Sequence, residues 1–154
     1  MSLIDTINEI VEYGLKQNIS SKDEVLKLKK LLTQLHLFYL NSEVGFDDLW
    51  SKLKEPPRFD YGEIKKNVNS NFPNFGFYHS VLNPIELHED PKLSLGDAED
   101  DLTDIVLGML QVKWLNENSN TKYFEWHFHL IWQGHLERHF VDLLKYISDL
   151  EELD

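Results

Sequence analysis

The stretch DAEDDLTDIVLGMLQVKWLN, residues 97–116, decides the fold. Ala98, Leu102, Ile105, Met109 and Val112 recur at alternating intervals of four and three, the period of one face of an α-helix. Acids crowd its beginning, where the positive end of the helix dipole favours them. The helix is therefore expected to start between Ser94 and Asp97 and to run to about Asn116. The segment NENSNTK (116–122) reads as a turn. Beyond it, Phe124, Phe128, Ile131, Trp132, Phe140, Leu143, Leu144 and Ile147 again fall at helical spacing, up to about Leu150. Two antiparallel helices over about 95–116 and 122–150 are the expected frame.

Working outward, Ser2 with Asp5 three residues on reads as a capping box, followed by Ile4, Ile7, Val11 and Leu15 at helical spacing. Asn18-Ile19-Ser20 breaks that pattern. Ser21 with Glu24 reads as a second capping box, and Val25, Leu28, Leu32, Leu35 and Tyr39 form the stripe that follows. The two helices are expected to pair as an antiparallel hairpin, with His36 packing at its edge. Residues 41–59 read as a connection with a short helix around Phe46–Leu53, ended by Pro56-Pro57, and a third helix runs from Asp60 to about Val68.

The segment at about 69–93 contains Pro73, Gly76, Pro84 and Pro91 together with Phe72, Phe75, Phe77 and Tyr78. It reads as a long connection held to the bundle by its aromatics, since unstructured loops of that length are uncommon in compact domains. No alternating strand pattern of useful length stands out. The expected architecture is all-α: one domain over 1–154, a compact bundle of about five helices.

Composition narrows the function classes. With no cysteine among 154 residues there is no disulfide framework, thiolate metal site or Cys nucleophile. The longest apolar runs, such as IVLGML at 105–110, are too short to cross a bilayer. The beginning of the chain lacks the basic start and apolar stretch of a secretory leader, so a cytoplasmic location is expected. The net charge of −12 is uneven. Residues 1–66 hold ten Lys/Arg and eleven Asp/Glu; residues 67–154 hold five and sixteen. Eight of those acids fall between Glu86 and Asp104, with Lys92 the one basic residue among them. A field of this sign repels phosphate backbones and anionic lipid, so neither nucleic acid nor a membrane is the expected partner. It favours a basic protein instead.

The candidate chemistry lies where the last two helices meet. Asp97, Asp101 and Asp104 stand i, i+4, i+7 and share a helix face, as do His135 and His139 at i, i+4. If the helices turn back about residues 118–119, His135 lies level with Asp104, and His139 with Asp100 or Asp101. Gly108, one turn past Asp104, leaves room for a bulky neighbour such as Trp132. Three arrangements remain open: a buried Asp–His network, an exposed acidic face, or a divalent-metal site of His135, His139, Asp101 and Asp104. The ion would be zinc, manganese or iron; otherwise no cofactor is expected. The zinc-protease pattern is absent, because Leu136 follows the first histidine where that pattern has Glu. His127 and His129 project about 160° apart on a helix, so one is expected at the core edge and the other in solvent.

Three motifs resemble a bacterial family known as domain of unknown function 5063. They are YHSVLNP (78–84), DDLTDI (100–105) and HLERHFVDLLKYI (135–147). Members of that family show Tyr-x-x-Val-Phe-Asp-Pro before an Asp-Asp-Leu-x-Asp-Ile/Val helix. Their Trp/Phe-rich last helix often contains His-Trp-Gly-x-His; here Leu136-Glu137 stand in place of the Trp-Gly. The likeness is strong in the C-terminal half and is carried by Tyr78, Asn83, Pro84, Asp100, Asp101 and Asp104. It implies an all-helical bacterial cytosolic domain and supplies no reaction.

Together these observations lead to a non-enzymatic interaction domain of immunity or adaptor type. Its acidic face (Glu86, Glu89, Asp90, Asp97, Asp100 and the tail) would meet a basic partner. The alternatives are a metal-dependent helical-bundle hydrolase built on the Asp–His cluster, or assembly with another chain through Trp126 or Trp132. The oligomeric state is left open.

Overall fold

The computed structural model describes residues 1–43, 54–119 and 121–153. The short helix expected around Phe46–Leu53 lies outside them. The elements run α1 (Leu3–Leu15), α2 (Glu24–Asn41), α3 (Tyr61–Asn71), β1 (Phe77–Val81), β2 (Leu93–Asp97), α4 (Ala98–Asn118) and α5 (Thr121–Ile131). A single π-helical turn, Trp132–Leu136, then leads into α6 (Glu137–Glu152). The protein is mostly helical, but it is not all-α: a two-stranded antiparallel hairpin interrupts the bundle.

The N-terminal helices form as their caps dictate. Ser2 and Asp5 satisfy each other's backbone N–H groups in a capping box. α2 begins only at Glu24, whose carboxylate reaches back to the Ser21 N–H and hydroxyl, so half of the second expected box is present. Lys27 pairs with Glu9 at 3.2 Å, and the Tyr13 phenol donates to Glu24 at 2.5 Å. Rising numbers on α1 thus meet falling numbers on α2, and the pair is antiparallel. Asp60 caps α3, which ends three residues later than expected, at Asn71. The side chains of Asn67 and Asn71 donate to the carbonyls of Tyr13, Gly14 and Lys16, closing the free end of α1 from another element.

α4 is the central helix, packed against α1, α3, α5 and α6. Ala98, Leu102, Ile105, Met109 and Val112 are all buried, as its periodicity requires, and Val106 and Leu110 add a second buried face. The helix starts later than expected because residues 93–97 are taken up by β2, with Asp97 left as the cap of α4. The last expected helix is three pieces, for a reason visible in its spacing. Phe124, Phe128, Trp132, Leu136 and Phe140 are all buried and stand four apart. In a regular helix each step of four overshoots a full turn by about 40°, so the stripe would swing about 160° away from its neighbours. The wider π turn takes up much of that drift.

Candidate functional site

The Asp–His seam forms between α4 and α6. Gln111 meets His127, Asp104 meets His135, and Asp101 meets His139, which is the antiparallel register counted from the turn. The two faces do turn toward each other. Gly108 serves a close approach, but to Leu136 and not to Trp132: a β-carbon there would lie 2.5 Å from Leu136 Cδ1. Trp132 is fully buried and donates its indole N–H to His36 Nδ1 at 3.1 Å, so it is unavailable for docking another chain. His36 stacks on Phe140 at the edge of the core, as expected. His127 and His129 are both half-buried, the latter bonded to Ser42 Oγ at 2.6 Å, so neither projects into solvent.

At the centre of the seam His139 is held from both sides. Its Nδ1 lies 2.7 Å from Asp101 Oδ1 and its Nε2 3.1 Å from Asp104 Oδ2. Hydrogen bonds to Asp101 and then Asp104 outweigh the effect of burial and push its pKa up to about 10. Between these two carboxylates alone the imidazolium is favoured, donating from both nitrogens. The second oxygen of buried Asp101 accepts the Tyr78 phenol at 2.5 Å. Burial, and then the hydrogen bond to Asp101, drive the Tyr78 hydroxyl far above its usual range. Asp142 lies nearby, its carboxyl raised by burial and by the charge of Asp101. His135 completes the group: its ring meets that of His139 edge-on at 4.7 Å, and its Nε2 is 3.9 Å from Asp104 Oδ2. Among the described residues, two sets of donor atoms are close enough to hold an ion: Asp104 with His135 and His139, and Asp100 with Asp101 and His139.

The acids expected to form one surface divide into two groups. Glu86, Glu89 and Asp90 are exposed on the hairpin loop. Asp97 and Asp100 are half-buried and already engaged. Asp97 accepts from the Glu99 N–H at the start of α4 and pairs with Lys65 at 3.1 Å. Asp100 accepts the hydroxyl proton of Tyr61, which burial and that bond raise to about 12.

The hairpin is a feature the sequence reading missed. Its register pairs Phe77 with Asp97, Tyr78 with Gly96, His79 with Leu95, Ser80 with Ser94, and Val81 with Leu93. Tyr78, Ser80, Ser94 and Gly96 are half-buried, while Phe77, Val81, Leu93 and Leu95 are exposed. Of the four expected aromatic anchors, Phe72, Phe75 and Tyr78 pack inward, but Phe77 is 70% exposed. Gly96 is required beneath Tyr78, whose ring would lie 2.2 Å from any β-carbon there. The signal for the strands was the alternation Leu93-Ser94-Leu95-Gly96, which is short and has its apolar residues facing out. No protein-family model, curated protein or solved structure matches this chain.

Proposed function

We propose that this chain is a non-enzymatic cytoplasmic interaction domain that grips a basic partner with its hairpin. One observation carries the reading: the outward face of the hairpin is apolar around a single central histidine, His79. Phe77, Val81, Leu93 and Leu95 lie on that face, and Leu82, Ile85 and Leu87 follow on the loop, with Ile85 and Leu87 more than nine-tenths exposed. Fully burying a side chain of this kind is worth about 1.5–3 kcal/mol, so the face holds several kcal/mol of unrealised burial. Glu86, Glu89 and Asp90 border it and supply attraction for a cationic surface. A groove lined by Leu82, Asn83, His88, Glu89, Asp90 and Lys92 opens beside them.

Membership of the domain of unknown function 5063 family belongs to the same reading. It is supported by the fact that Tyr78, Asp101 and Asp104, which carry the resemblance, all build or brace the seam under the hairpin. The second reading, a metal-dependent hydrolase, is favoured by the convergence of Asp104, His135 and His139.

Affinity capture with the whole chain distinguishes these. The expected result is a basic protein, released as salt rises and retained poorly by Phe77→Ser/Leu95→Ser. Glu86→Gln/Glu89→Gln/Asp90→Asn should weaken capture mainly at low salt. Equal capture of the same partner by the wild type and the Phe77→Ser/Leu95→Ser variant would remove the hairpin from the function.

A further inference from the structure

The seam contains more than is needed to neutralise a buried charge. His139 already has two carboxylates, yet a second imidazole, that of His135, also points its Nε2 at Asp104 Oδ2. Three donor atoms, two imidazole nitrogens and one carboxylate oxygen, thus converge within 4.8 Å of one another. Around a zinc-type ion with nitrogen and oxygen ligands at about 2.0–2.2 Å, tetrahedral donors stand about 3.3 Å apart. With the ion taking the place of the His139 Nε2 proton, the 3.1 Å contact from His139 to Asp104 meets that spacing, and the 3.9 Å contact from His135 exceeds it by about 0.6 Å. The His135 side chain is 63% exposed, so a small turn of the ring closes the gap.

Two further observations point the same way. The far nitrogen of His139 is bonded to Asp101, and Asp101 in turn is fixed by the Tyr78 phenol. A carboxylate on the far nitrogen is how ligating histidines are oriented and made more basic. The π turn ends at Leu136 and so places His135 at its C-terminal end, one helical turn from His139. Such turns within helices are frequent at functional sites. The alternative group, Asp100 with Asp101 and His139, is the poorer ligand set. Both Asp101 oxygens already accept hydrogen bonds, and Asp100 is occupied by Tyr61.

We propose that Asp104, His135 and His139 bind a divalent first-row transition ion of the zinc–cobalt type, with Asp101 orienting His139 from outside the coordination shell. Three protein ligands with an exposed histidine on one side leave the remaining positions open to water. The three ligands lie on α4, the π turn and α6; the hairpin touches the site only through Tyr78, which braces Asp101, and no protein partner is needed.

Titration of the whole chelator-treated chain with zinc by calorimetry, and with cobalt by visible absorption, tests this. One ion per chain is expected, with a cobalt spectrum characteristic of a low-coordinate nitrogen–oxygen site. Asp101→Asn should weaken binding by about 10–100-fold, the range typical of an outer-shell carboxylate. His135→Ala should weaken it at least as much while leaving the far-UV circular dichroism unchanged, because that ring is mostly outside the core. A wild-type chain that binds neither ion would overturn the site. So would a His135→Ala chain that binds as tightly as wild type, since the ion would then sit elsewhere, for example at Glu86 and His88 on the hairpin loop.

Discussion

The seam and the hairpin both break the rule that apolar groups go in and charges stay out, and they do so in opposite directions. In the seam, Asp101 is 5% exposed, and each of its oxygens has a partner. On the hairpin, Phe77, Leu93 and Leu95 are more than three-fifths exposed. A buried carboxylate without partners carries a large desolvation penalty, so its partners have to be within the chain itself. An exposed apolar side chain forgoes burial without leaving an unmet bond, so its cover can come from elsewhere. The first violation is resolved within the fold, and the second faces outward.

The contrast breaks most visibly at Asp101. Replacing it with Ala leaves the Tyr78 hydroxyl without an acceptor and half-buried His139 with one carboxylate, and should cost about 3–5 kcal/mol in urea unfolding. A loss below about 1 kcal/mol would mean that water already serves these groups. Tyr13→Phe tests a second inward charge, buried Glu24, and should cost about 1.5–3 kcal/mol.

The pH dependence of that pair has a definite sign. Burial alone would raise the Glu24 carboxyl, but hydrogen bonds from Tyr13 and Ser21 outweigh it and hold it below its usual 4.5. The stabilisation is therefore present above the unfolded value and is lost as pH falls through the folded one. Unfolding free energies measured from about pH 6 to about pH 3 should fall less steeply in Tyr13→Phe than in the wild type. An identical acid slope would sink the assignment. The smallest effect belongs to the hairpin: Phe77→Ser/Leu95→Ser should shift stability by only about 0.5 kcal/mol. A loss of several kcal/mol there would show that this face packs against the protein after all.

What was legible in the sequence was whatever repeats at helical spacing around a turn of known length. The α4 stripe, the antiparallel pair and the level of Asp104 with His135 all follow from counting. What escaped was structure in which local signals point the wrong way. Leu93-Ser94-Leu95-Gly96 is too short to register as a strand, and it turns its leucines outward, so the usual sign of burial is reversed. The π turn was written in the interval of four from Phe124 to Phe140, but apolar spacing of three or four equally suggests an ordinary helix. His139 faces both Asp101 and Asp104, which counting could not foresee, because position along a regular helix fixes height, not rotation.

The two ends of α1 are finished by residues at very different distances along the chain. Ser2 and Asp5 begin it within one turn, whereas Tyr13, Gly14 and Lys16 give their carbonyls to Asn67 and Asn71, more than fifty residues away. During folding the N-terminal turn can nucleate by itself, but the last turn stays frayed until the chain has closed a long loop and α3 has docked. α1 is thus completed late, and its final turn and α3 should exchange their amide hydrogens as one cooperative unit.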